Sequence, residues 1–142
     1  MTARSTSERL RVGIIGGGAI TQVAHLPVLK KFKSIEVRAV CDIDLPKASA
    51  LAERFGVKDS FDDIEELLRY EELDAVVICS PTHLHESHIL AALSANLHVL
   101  VEKPLAMTAA SAGRIVRAAQ KRGKVVMAVS YTHLTLPTTP YV

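Results

Sequence analysis

The chain has 142 residues and a net charge of +2, enough for one domain with its own core and too short for two. It is 49% hydrophobic and 23% charged, which excludes a disordered chain. Aromatics make up 4% with no Trp, so the core must come from Val, Ile, Leu and Ala, as in parallel strands covered by helices. The weak, evenly spread charge and the lack of aromatic stacking platforms argue against nucleic-acid and membrane partners.

Residues 1–8 are rich in Ser, Thr and Arg and read as a disordered lead without a signal-peptide core. LRVGII is a short apolar strand that runs into glycines. AITQVAHLPVLKKF has a helical pattern with Ala24, Val28 and Leu29 among its apolar positions; Pro27 breaks it or starts a second segment. IEVRAVC is a β-branched strand ending at Asp42. LPKASALAERFG is a helix with Leu45, Ala48, Leu51, Ala52 and Phe55 on one stripe and Gly56 as its stop.

VKDSF suggests a short strand and DDIEELLRYEEL an acidic helix. LDAVVICS is a buried strand, and the helix after it stops at Asn96, a residue that tolerates the left-handed conformation. LHVLVEKP is a strand with its exit loop. The last helix is capped by Thr108 and stopped by Gly123, and KVVMAV is the final strand. Strand and helix alternate without a hairpin signal, so the fold class is α/β: a doubly wound parallel sheet with strands in the order 3-2-1-4-5-6.

No stretch approaches the length of a membrane span, and the absence of CxxC or metal spacing leaves Cys41 and Cys79 as buried free thiols. A reducing, cytoplasmic setting is the default expectation. His83, His85 and His88 invite a metal reading, but no familiar ligand spacing joins them, so no metal is expected.

Chemistry is concentrated in two places. In GIIGGGAIT, Gly16 and Gly18 fit the first two glycines of the dinucleotide fingerprint, and Thr21 replaces the third, which predicts slightly looser helix–strand packing. A helix starting near Ala19 and Ile20 points its N–H groups and positive dipole end at a pyrophosphate. Asp42, at the end of the second strand, accepts from ribose hydroxyls and repels a 2′-phosphate, favouring NAD over NADP. Ile43 brings no compensating charge, and Arg38 lies too early in the strand. The competing reading is that Asp42 merely caps the next helix. The second place is VLVEKPLAM, where an apolar strand ends in adjacent charges pinned by a proline.

The stretches VGIIGGGAI with HLPVL, AVCDID, VVICSPTHLH and AALSANLHVLVEKPLAMT together resemble the Gfo/Idh/MocA group of NAD(P)-dependent oxidoreductases (glucose–fructose oxidoreductase and inositol dehydrogenase). Nearly everything from Arg11 to Ala128 is covered, and Asn96 replaces the glycine of the Ala-Gly-x-His-Val-x-x-Glu-Lys-Pro signature. The resemblance implies a Rossmann domain over residues 9–129 and Lys103 as the catalytic lysine beside the nicotinamide. It also implies Glu102 near the nicotinamide ribose, a cis bond before Pro104, and cofactor contacts from Ser80, Pro81 and His85. Ser80-Pro81-Thr82 departs from the family's Thr-Pro-Asn at two positions. His25, in His-Leu-Pro, receives no chemistry, and His98 reads as structural.

The resemblance further implies hydride transfer to or from a sugar or polyol, and a homo-oligomeric parent. A second α+β domain, carrying the substrate pocket, is expected to be missing, leaving part of the sheet uncovered. VSYTHLTLPTT resembles the translation of a sequencing-adapter end, so residues 130–142 are expected to be a non-native read-through tail in which His133 and Tyr141 have no role. Two alternatives stand beside this reading: a dinucleotide-binding module without catalysis, and a semialdehyde or dihydrodipicolinate type reductase, which lacks Glu-Lys-Pro.

Overall fold

The computed structural model describes residues 8–70 and 73–129. The expectations for residues 1–7 and 130–142, lead and tail, lie outside the described residues. Six strands form one sheet: β1 (Leu10–Ile15), β2 (Ile35–Cys41), β3 (Asp59–Phe61), β4 (Ala75–Ile78), β5 (His98–Glu102) and β6 (Val126–Val129). Every pairing is parallel and the order is β3-β2-β1-β4-β5-β6, the doubly wound arrangement that the alternation predicts. Between them run α1 (Leu26–Leu29), α2 (Leu45–Phe55), α3 (Ile64–Arg69), α4 (His85–Ser94) and α5 (Ala109–Arg122).

The middle of the sheet, residues 12–15 in β1 and Ala75–Ile78 in β4, is apolar because both faces are covered there. Successive side chains alternate between two cores. In β4, Val76 and Ile78 join the core that α4 and α5 cover with Ile89, Leu93 and Ile115, while Val77 joins the other. There Val12, Ile14 and Val40 pack against Leu26 and against Ala48, Leu51 and Ala52 of α2. Cover thins toward β6, where Val125 and Met127 are exposed.

Helix ends follow their chemistry. Asp44, Asp63 and Thr108 accept a main-chain hydrogen bond at the starts of α2, α3 and α5, and Gly56 and Gly123 close α2 and α5 in the left-handed region. Asn96 takes the same conformation, at φ +66°, after α4. The first helix differs from its sequence pattern. A π turn at Thr21–His25 precedes α1 and accommodates Pro27 in the first turn of α1. The extra residue in that turn rotates the following side chains, so Leu26 is fully buried and Val28 is exposed.

Candidate functional site

Because every strand pair is parallel, the chain leaves each strand at the same C-terminal edge, and the turns after β1, β4 and β5 there carry the glycines, Ser80 and Lys103. In doubly wound sheets ligands bind at this edge, where the strand order reverses. The reversal here falls between β1 and β4. A cavity of about 880 Å³ opens there, lined among others by Gly16, Gly17, Gly18, Asp42, Ser80 and Pro81.

The glycine turn is shaped by close approach on one side and openness on the other. Gly16 has φ +100°, and a Cβ on it would stand 2.7 Å from the Cys79 carbonyl carbon. The main chain leaving β4 therefore passes directly over it. A Cβ on Gly17 would lie 2.8 Å from Leu51. A Cβ on Gly18 would have no other atom within 4 Å. Protein packing gives no reason for glycine at 18; a group drawn close to the main chain there does. The helix beginning at Ala19 directs its leading N–H groups to the same spot. These features fit a dinucleotide pyrophosphate.

Thr21 does not loosen the packing as its size predicts. It is fully buried, and its hydroxyl donates to the Gly16 carbonyl at 2.5 Å, tying the helix to the turn. Asp42 is not the cap of α2; that is Asp44. One Asp42 oxygen accepts from the Gly17 N–H at 2.8 Å and the other from the Asp44 N–H at 2.9 Å. The carboxylate thus braces the glycine turn and keeps lone pairs for further donors.

Sequence reasoning missed the other charges at this end. Asp44, Lys47, Asp62 and Asp63 also line the cavity, with the Lys47 ammonium 4.0 Å from Asp42. The acidic field shows in Cys41, whose thiol is pushed up to about 12, first by burial and then by Asp42, Asp63 and Asp62. Arg38 lies 3.1 Å from Glu36.

At the other end, the Ser80 hydroxyl and His88 Nδ1 are 2.7 Å apart. Burial, and secondly the charge of His85, hold the His88 imidazole below its ordinary range. His85 does not line the cavity. It is 1% exposed, with both ring nitrogens on main-chain carbonyls. Glu102 and Lys103 close β5 outside the cavity wall; Lys103 is exposed, and the Lys103–Pro104 bond is cis. Glu102 is buried and paired with His25 Nε2 from the helix after the glycine turn, a contact 77 positions apart in the chain. Of the proposed site residues, Gly16, Gly18, Asp42, Ser80 and Pro81 share the cavity, while Ala19, Ile20, His85, Glu102 and Lys103 stand behind or beside it. Among the described residues, no group of three His, Cys, Asp or Glu side chains is arranged to hold a metal ion, and no helix is long and apolar enough to cross a membrane.

Comparison with known proteins agrees with this geometry. D-glucoside 3-dehydrogenase of Escherichia coli K12 is 40% identical over 126 residues, covering 89% of this chain and 36% of that protein. Inositol 2-dehydrogenase of Salmonella typhimurium LT2 is 32% identical over 86% of this chain and 37% of its own length. Among solved structures, KijD10, a 3-ketoreductase from Actinomadura kijaniata in complex with NADP and TDP-benzene, superposes with a TM-score of 0.82 at 31% identity, over 94% of this chain and 42% of that one. The chain thus spans well under half the length of these relatives. Residues 10–130 match the oxidoreductase family with an NAD-binding Rossmann fold, and the chain belongs to that family.

Proposed function

We propose that the chain is the nucleotide-binding part of an NAD(H)-dependent oxidoreductase that interconverts a secondary alcohol and a ketone on a sugar or polyol. When bound, the nicotinamide supplies the hydride chemistry. The chain's own residues bind and orient. Main-chain groups at Gly16, Gly18, Ala19 and Ile20 receive the pyrophosphate, and Asp42 accepts from the adenosine ribose. Ser80 and Pro81 form the wall toward the nicotinamide. Lys103, with Glu102 beside it, holds the substrate hydroxyl and stabilises charge as its proton leaves.

The observation that carries this reading is the open space over Gly18, set between the bracing Asp42 and the Ser80 turn in one cavity. NAD is favoured over NADP because four carboxylates face the adenosine end and only Lys47 opposes them. The names of the relatives support the substrate class.

Calorimetry on the 142-residue chain tests the reading. NADH is expected to bind at least about tenfold more tightly than NADPH, the penalty for bringing a 2′-phosphate among carboxylates. Equal affinities would remove the preference; no NADH binding by a folded sample would remove the function. The product of the source gene, screened with polyols and aldoses, is expected to reduce NAD+, with Lys103→Met lowering kcat by about 100-fold or more.

A further inference from the structure

The turns that carry Ser80 and Lys103 are joined by one side chain. His85 opens α4, is 1% exposed, and spans the gap between them. Its Nε2 lies 2.8 Å from the Ser80 carbonyl oxygen and its Nδ1 lies 2.7 Å from the Pro104 carbonyl oxygen. A main-chain carbonyl accepts and never donates. A neutral imidazole carries one N–H, so it would satisfy one carbonyl and turn a bare lone pair on the other. In a buried place that contact is repulsive, and the carbonyl would lose its partner. Both contacts are hydrogen bonds only when both ring nitrogens carry protons.

We infer that His85 is a positioning residue that works as a buried imidazolium, clasping the Ser80 turn to the Lys103–Pro104 turn and so fixing Lys103 relative to the cavity. The neighbouring histidine has a different partner: His88, three residues on, has its Nδ1 2.7 Å from the Ser80 hydroxyl. One turn of α4 therefore presents one ring to two carbonyls, which only accept, and a second ring to a hydroxyl, which can do either. The ionisable groups on the elements around the clasp are Glu86 and His88 on α4, Cys79 after β4, and Glu102 and Lys103 at the end of β5. Glu86 is engaged by Arg114 and Glu102 by His25. The positioning role rests on the proposed NAD(H) function; the protonation of the ring does not.

Nitrogen NMR of the unmodified 142-residue chain, labelled with 15N-histidine and free of nucleotide at pH 7, reads the ring directly. Both His85 ring nitrogens are expected to resonate as protonated N–H groups. A resonance typical of a bare imidazole nitrogen would overturn the inference. NADH affinity supplies the second readout. His85→Gln keeps one donor arm and loses the other, so the folded variant is expected to bind NADH about tenfold more weakly, the worth of one charge-assisted hydrogen bond. A His85→Gln protein with the original affinity would refute the clasp. If that variant does not fold, the nitrogen spectrum decides alone. Protonated nitrogens in a chain that binds no NADH would refute the NAD(H) reading and leave the imidazolium standing.

Discussion

Gly16 and Gly18 are two residues apart and do opposite work. At 16 the constraint comes from the protein: φ is +100° and the main chain of Cys79 and Ser80 stands within 2.8 Å of where a Cβ would be. Neither neighbour is a flexible side chain that could swing away. Gly16→Ala is therefore expected to cost about 3 kcal/mol, combining a strained φ with overpacking. At 18 the surroundings are empty, and Gly18→Ala is expected to leave stability within about 0.5 kcal/mol while weakening NADH binding at least about tenfold, because the added methyl occupies the space into which the pyrophosphate must come. Urea titrations and calorimetry on the two variants separate the effects. A Gly18→Ala protein that binds NADH as well as the original would place the phosphates elsewhere.

Helix caps show at the scale of elements why much of the architecture was legible. Thr108, Gly56, Asn96 and Gly123 act locally, so a reading of neighbours along the chain finds them. The Thr108 hydroxyl oxygen accepts from the Ser111 N–H at 3.1 Å, and its proton goes to the Ser111 hydroxyl, which donates to Glu86 on α4. Thr108→Ala is expected to cost about 1 kcal/mol in urea unfolding, with Thr108→Ser restoring most of it. An alanine variant of unchanged stability would show that the α4–α5 network holds the helix start without the cap. The strand order was equally legible, since right-handed crossovers leave few ways to arrange alternating β and α segments. What stayed hidden was set by distance in the chain. The His25–Glu102 pair joins the first helix to the fifth strand, the Asp62 and Asp63 carboxylates reach the cavity from the loop after β3, and Ser80 and His88 meet only because Thr82–Leu84 is a tight turn before α4. The burial of Leu26 in place of Val28 was hidden for another reason: a π turn shifts the helical period by one residue, and no sequence periodicity of 3.6 registers it.

For the whole molecule these microenvironments combine into a pH dependence with two limbs. On the acid side, His88 and His98 are both held below the ordinary 6.5, each by burial first, with the charge of His85 and of Lys124 adding to it respectively. The unfolded chain therefore takes up protons before the native one as pH falls. Stability is present above 6.5 and is lost as pH drops through 6.5 toward the lower native values. On the alkaline side the sign reverses. Burial pushes Cys41 up to about 12 and Cys79 up to about 11, against 9.0 for a free thiol. The native state keeps protons that the unfolded state releases, so stability is full below 9 and declines as pH rises through 9 toward 11. Urea midpoints measured from pH 5 to 10.5 are expected to drop toward the acid end, as His88 and His98 take up protons on unfolding, and again above pH 9, as the unfolded thiols ionise. His88→Gln flattens the acid limb and Cys41→Ala the alkaline one, because each removes the group whose proton affinity differs between the two states. An alkaline limb that persists unchanged after both cysteines are replaced would mean that another group, and not thiol burial, controls the high-pH side.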